Sequence, residues 1–136
     1  MAYEWQAGSG PGYSAQATKA GPNDAILNIR WDGRGAPIFI RQRLISQRGS
    51  LAVVVRGPLL DRNSMRRIAF VFYCGSQPIF HDVLSQQQDG SFVFSANEPV
   101  PCANPEMRLV GISEESLNPF ELELTTIKIS PAARDL

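Results

Sequence analysis

The chain has 136 residues, 43% of them apolar and 19% charged, which is enough apolar material for one core and too little charge for a disordered chain. Thirteen basic and thirteen acidic residues cancel, so no overall field draws the protein to nucleic acid or to an anionic membrane. One histidine and two cysteines are too few for a His/Cys zinc cage, a thiolate cluster or a two-histidine metal site, and neither a metal nor a cofactor is expected.

Residues 1–24 hold four glycines and two prolines and read as an irregular lead-in with room for a short edge strand. The opening Met1-Ala2-Tyr3-Glu4-Trp5-Gln6 lacks the basic start, apolar stretch and small-residue cleavage site of a secretory signal. The compartment expected is cytoplasmic for a complete chain, and periplasmic or extracellular for an excised domain.

From residue 25 the pattern becomes short segments of period two separated by turn residues, as in antiparallel sandwiches. Over 25–32, Ala25, Leu27, Ile29 and Trp31 fall on one face, opposite Ile26, Asn28, Arg30 and Asp32. After a turn at Asp32-Gly33-Arg34-Gly35, residues 38–45 set Ile38, Ile40, Gln42 and Leu44 against Phe39, Arg41, Arg43 and Ile45. Residues 51–56 are nearly all apolar, as in a strand covered on both sides. A polar connection over 57–66 leads to 68–74, where Ile68, Phe70, Phe72 and Cys74 alternate with Ala69, Val71 and Tyr73. Residues 78–84 and 91–95 form two strands, with Asp89-Gly90 predicted at the centre of a type I′ turn.

The prolines at 99, 101 and 105 make 98–106 a loop before the strand at 107–112. In the last strand, 120–130, Phe120, Leu122 and Leu124 share a face while Ile127 and Ile129 run in the opposite phase, which predicts a bulge near Thr125-Thr126. The sum is an all-β, antiparallel β-sandwich of about eight strands without a helix of useful length. It forms a single domain over 1–136, with lead-in 1–24, core 25–130 and tail 131–136. No apolar run approaches the roughly 20 residues that span a bilayer, so membrane insertion is not expected.

Phosphate-loop, dinucleotide, nucleophile-elbow and HExxH signatures are absent from the sequence. His81 and Asp82 are adjacent on a strand, so they point to opposite faces and make a poor base and orienter. Glu121 and Glu123 share a face but alternate with apolar residues as a solvated side does, and Glu114-Glu115 sits in a polar turn. No enzyme is expected.

Charge is unevenly distributed. Nine arginines against two acids between Arg30 and Arg67 give 9 − 2 = +7, leaving −7 elsewhere. Arginine suits bidentate contact with carboxylate, sulfate or phosphate, so the face carrying Arg41 and Arg43 is a candidate for an anionic partner such as an acidic polysaccharide. The competing expectation is that these arginines pair with the acidic C-terminal strands. Sugars also stack on exposed rings, for which Trp5, Tyr13, Trp31 and Tyr73 are candidates, although Trp31 is in phase with the core. Cys74 and Cys102 are either a disulfide closing a long loop or two buried thiols.

The segments Tyr3-Glu4-Trp5-Gln6, Ala25-Ile26-Leu27-Asn28-Ile29-Arg30-Trp31-Asp32-Gly33 and Ile40-Arg41-Gln42-Arg43-Leu44 occur in an order that resembles a known group. Residues 68–74, Pro101-Cys102, Met107-Arg108-Leu109 and 124–130 complete the likeness, which covers most of the chain. It is to the galactose-binding-domain-like jelly rolls, carbohydrate-binding-module-like β-sandwiches of some bacterial repeat-containing or polysaccharide-associated proteins. The resemblance implies a jelly roll that binds a glycan or a protein partner, attached to something larger. It also implies a Cys74–Cys102 bridge and an exported setting. Trp5, Tyr13, Arg41 and Arg43 are the ligand-binding candidates; the alternative is a structural or assembly domain.

Overall fold

The protein is described here by a computed structural model, over residues 6–19, 25–44, 49–58, 60, 62–95, 99–112 and 120–131. Among the described residues there are twelve strands: β1 (Gln6–Ala7), β2 (Ser9–Gly10), β3 (Tyr13–Lys19), β4 (Ala25–Trp31), β5 (Ile38–Arg43), β6 (Leu51–Arg56), β7 (Ile68–Cys74), β8 (Gln77–Gln86), β9 (Phe92–Ser95), β10 (Glu106–Gly111), β11 (Phe120–Leu124) and β12 (Thr126–Pro131). One helical turn, α1 (Arg62–Met65), lies in the polar connection and drops Met65 into the core. No helix among the described residues is long and apolar enough to cross a membrane.

The strands form two antiparallel sheets, one of eight strands in the order β1-β5-β10-β7-β8-β9-β6-β12 and one of four in the order β11-β4-β3-β2. The inward residues of the small sheet, Ala15, Leu27, Ile29, Trp31, Leu122 and Leu124, join those of the large sheet in one buried cluster, a β-sandwich-like arrangement. The inner phenylalanines Phe70, Phe72, Phe92 and Phe94 are fully buried. Gly111 sits where a Cβ would lie 2.9 Å from the Trp31 ring and 3.0 Å from the Phe39 ring, so the sheets approach closely at that point.

Four expectations from the sequence need correction. The lead-in is not irregular over 6–19, because β3 pairs with β4 along its full length. Its inner positions include Ala15 and Ala17, whose single methyl groups give little hydrophobic signal. Eight strands become twelve because β1, β2 and β3 are added and the segment 120–130 divides. The phase change in that segment is not a bulge: β11 pairs with β4 in the small sheet, whereas β12 pairs with β6 in the large one. The chain changes sheets at Thr125, whose N–H donates to the Arg56 carbonyl at 2.7 Å. Lastly, the β8–β9 turn is not type I′ with Asp89-Gly90 at its centre. The Gly90 N–H donates to the Gln87 carbonyl, making Gln88 and Asp89 the central pair, and Gly90 follows at φ +88° where glycine fits without strain.

The strand at 38–45 departs from simple alternation. Leu109 of β10 faces Ile40 and the next residue, Val110, faces Ile38, so Phe39 is an extra residue in β5. Phe39 and Ile40 are both buried, and beyond them Gln42 and Leu44 stay inside while Arg41 and Arg43 point out. Gln42 faces Met107 in the core, and its Oε1 has no hydrogen-bond partner among the described residues.

Cys74 and Cys102 are disulfide-bonded, with Cα atoms 5.8 Å apart and a sequence separation of 28. The bond ties the end of β7 to the proline-rich loop, which is also held by the two hydrogen bonds between Gly49 and Val100 and by the Leu44 N–H donating to the Pro105 carbonyl. On the chain-entropy account, closing a loop of this length stabilises the fold by about 3 to 4 kcal/mol. Denaturant unfolding with and without reductant is expected to differ by that amount. Alkylation of either cysteine in the native, unreduced protein would contradict the bond.

Candidate functional site

Because strands in a sheet are locked in register, residues far apart in sequence meet in rows across it. On the outer face of the large sheet, one row runs Gln6, Arg41, Arg108, Val71 and Phe80. The neighbouring row runs Arg43, Glu106, Tyr73 and Pro78. Among the described residues, three arginines thus surround a single carboxylate. Glu106 Oε2 accepts a hydrogen bond from Arg108 at 3.0 Å, and its Oε1 lies 4.0 Å from Arg41. The Arg108 guanidinium stacks over the Tyr73 ring, 4.1 Å from its centre. Arg43 makes no ion pair among the described residues and is exposed. The cluster therefore carries excess positive charge beside an aromatic ring.

The end of this face opens into a cavity of about 530 Å³, lined by Gln6, Ala7, Gly8, Ser9, Tyr13, Ala36, Pro37, Ile38 and Arg41. Tyr13 reaches it from the small sheet, with its ring edge-on to Phe39 at 6.1 Å. Of the four residues selected from sequence, the structure brings Tyr13 and Arg41 to one cavity and sets Arg43 two positions further along the same strand. Trp5 lies outside the described residues. Its chain neighbour Gln6 faces Arg41 in the register. Sequence reasoning missed Glu106 and Arg108, since only the β5–β10 pairing brings them beside Arg41. Alternation in β10 could have shown that both face away from Met107 and Leu109, but not which strand they join.

The remaining candidates take structural places. Trp31 is buried, as its phase suggests; its Nε1 donates to the Arg34 carbonyl at 2.8 Å and the Arg67 guanidinium sits 5.1 Å from its ring centre. His81 is buried against Phe72, with Nε2 3.0 Å from the Leu51 carbonyl. The side chain of Asp82, and the whole of Glu114 and Glu115, lie outside the described residues. Glu121 and Glu123 are exposed. No group of three metal-ligating side chains occurs among the described residues.

Pairing of arginines with acids accounts for part of the basic segment. Arg30 meets Glu121 of β11 at 3.3 Å, and Arg56 meets Asp89 of the β8–β9 turn. Comparison with protein-family models, curated proteins and solved structures finds no match to this chain.

The Ser91 hydroxyl and N–H both donate to Asp89, at 2.7 and 3.0 Å. These two bonds, followed by the nearby Arg56 charge, hold the Asp89 carboxyl below its ordinary value. A depressed folded pKa stabilises the fold above the unfolded pKa, and that contribution disappears as pH falls through the folded value. Ser91→Ala is expected to raise the Asp89 pKa in an NMR titration. Its stability difference from the parent should shrink on acidification; an unchanged Asp89 titration would contradict the assignment.

Proposed function

We propose that the protein is a non-catalytic module that binds an acidic polysaccharide through Arg41, Arg43 and Arg108 on the outer face of the large sheet. The observation that carries this reading is the register that collects three guanidinium groups around one carboxylate, with Tyr73 beside them. Guanidinium groups bind carboxylate or sulfate in bidentate fashion, and rings accept the CH face of a sugar. Tyr13 and the adjoining cavity extend the surface at one end. A jelly-roll winding of the galactose-binding-like kind belongs to the same proposal, and two packed antiparallel sheets are compatible with it. The Cys74–Cys102 bond supports an oxidising, exported setting, since such bonds persist there.

Titration with polygalacturonate at low ionic strength, against dextran as the neutral control, tests the reading. Binding to the first alone is expected, weakening as salt screens the exposed arginines. The double variant Arg41→Ala, Arg43→Ala should lose at least about tenfold in affinity, or ~1.4 kcal/mol. Absence of polyuronate binding at low salt would reject it in favour of an assembly domain, for which the exposed Phe80 on the same face is the available anchor.

A further inference from the structure

The small sheet has its own outer face, and its chemistry differs from that of the arginine face. In register, Ser14 of β3, Arg30 of β4 and Glu121 of β11 form one row, and Gln16, Asn28 and Glu123 form the next. The two rows floor a groove of about 570 Å³, a volume within the usual range for small-ligand sites. Gly57 makes one wall possible. A Cβ there would meet the Glu123 carbonyl oxygen at 2.1 Å, so only glycine allows the chain to pass close enough for Pro58 to border the groove. A second depression, lined in part by Gly12, Tyr13 and Asp32, shares Ser14, Arg30 and Glu121 and continues the groove along the sheet.

Charge and hydrogen-bonding capacity define what fits. Arg30 is matched by Glu121, whereas Glu123 has no ion pair among the described residues. With Asp32 at its far end, the groove is net negative over the described residues and repels the anionic polymer proposed for the other face. The Ser14 hydroxyl and the Gln16 and Asn28 amides offer donors and acceptors side by side, and hydroxyl-rich molecules use both. Among the described residues the lining includes no exposed large apolar side chain to anchor a protein core or a lipid. We infer that this groove binds an amino sugar chain, with the Glu123 carboxylate accepting from a free ammonium while Ser14, Gln16 and Asn28 take the neighbouring hydroxyls.

Three hexasaccharides with the same β-1,4 backbone test this directly: glucosamine hexamer, its fully N-acetylated form, and cellohexaose. Calorimetric titration of the whole chain is expected to show binding of the glucosamine hexamer, with the other two at least about tenfold weaker, as loss of a charge-assisted hydrogen bond predicts. Glu123→Gln should abolish that preference while leaving the thermal midpoint unchanged, because the side chain is exposed and has no ion pair among the described residues. Equal binding of all three sugars, or no binding of the glucosamine hexamer, would overturn the inference. So would equal affinity for hexalysine, which would show that the groove reads charge alone. The Arg41→Ala, Arg43→Ala variant should retain glucosamine binding in full, so failure here and failure of the polyuronate site are separate results.

Discussion

Phe39 is inserted into β5 opposite the Leu109–Val110 step of β10, and its ring crosses to the small sheet, edge-on to Trp31 at 5.7 Å and to Tyr13 at 6.1 Å. Strict alternation would send Phe39 to the same side as Arg41 and Arg43. The extra residue reverses the phase once, so that both Phe39 and Ile40 enter the core while the two arginines remain outside. Burying such a ring stabilises by roughly 1.5 to 3 kcal/mol, which exceeds the roughly 0.5 to 1.5 kcal/mol of one disrupted ladder hydrogen bond. The bulge is therefore favourable on balance. It fixes both the contact between the sheets and the outward row of charge.

Much of both sheets was legible from residue alternation. Ile68–Cys74 forms a strand with the expected bounds, and Leu27, Ile29 and Trp31 are buried as their spacing implies. What escaped were features set by contacts distant in sequence. β3 presents methyl groups to the core, too small for a periodic signal, and is a strand because β4 lies beside it. The corner at Thr125 and the insertion at Phe39 both appear in sequence as phase irregularities. Only the pairing partners reveal that the first is a change of sheet and the second a bulge.

The candidate site was legible to a lesser degree. Arg41 and Arg43 could be assigned a common face because they lie two apart on one strand. Glu106, Arg108 and Tyr73 could not be joined to them without knowing that β10 lies between β5 and β7. The same holds for the small sheet, where Gln16, Asn28 and Glu123 come from three separate segments. Uneven charge along the chain thus has two structural outcomes. Arg30 and Arg56 are neutralised by acids from later segments, and the arginines of β5 and β10 outnumber the one carboxylate among them.

The pairing of β5 with β10 is what the placement of Phe39 and of the arginine cluster shares, and backbone NOEs on isotope-labelled protein measure it most directly. Cross-strand contacts should pair Arg108 with Arg41 and Leu109 with Ile40, then pass over Phe39 to pair Val110 with Ile38. A continuous ladder in which Val110 faces Phe39 would contradict the account, because it would return Phe39 to the solvent side and dissolve the arrangement of arginines built upon it.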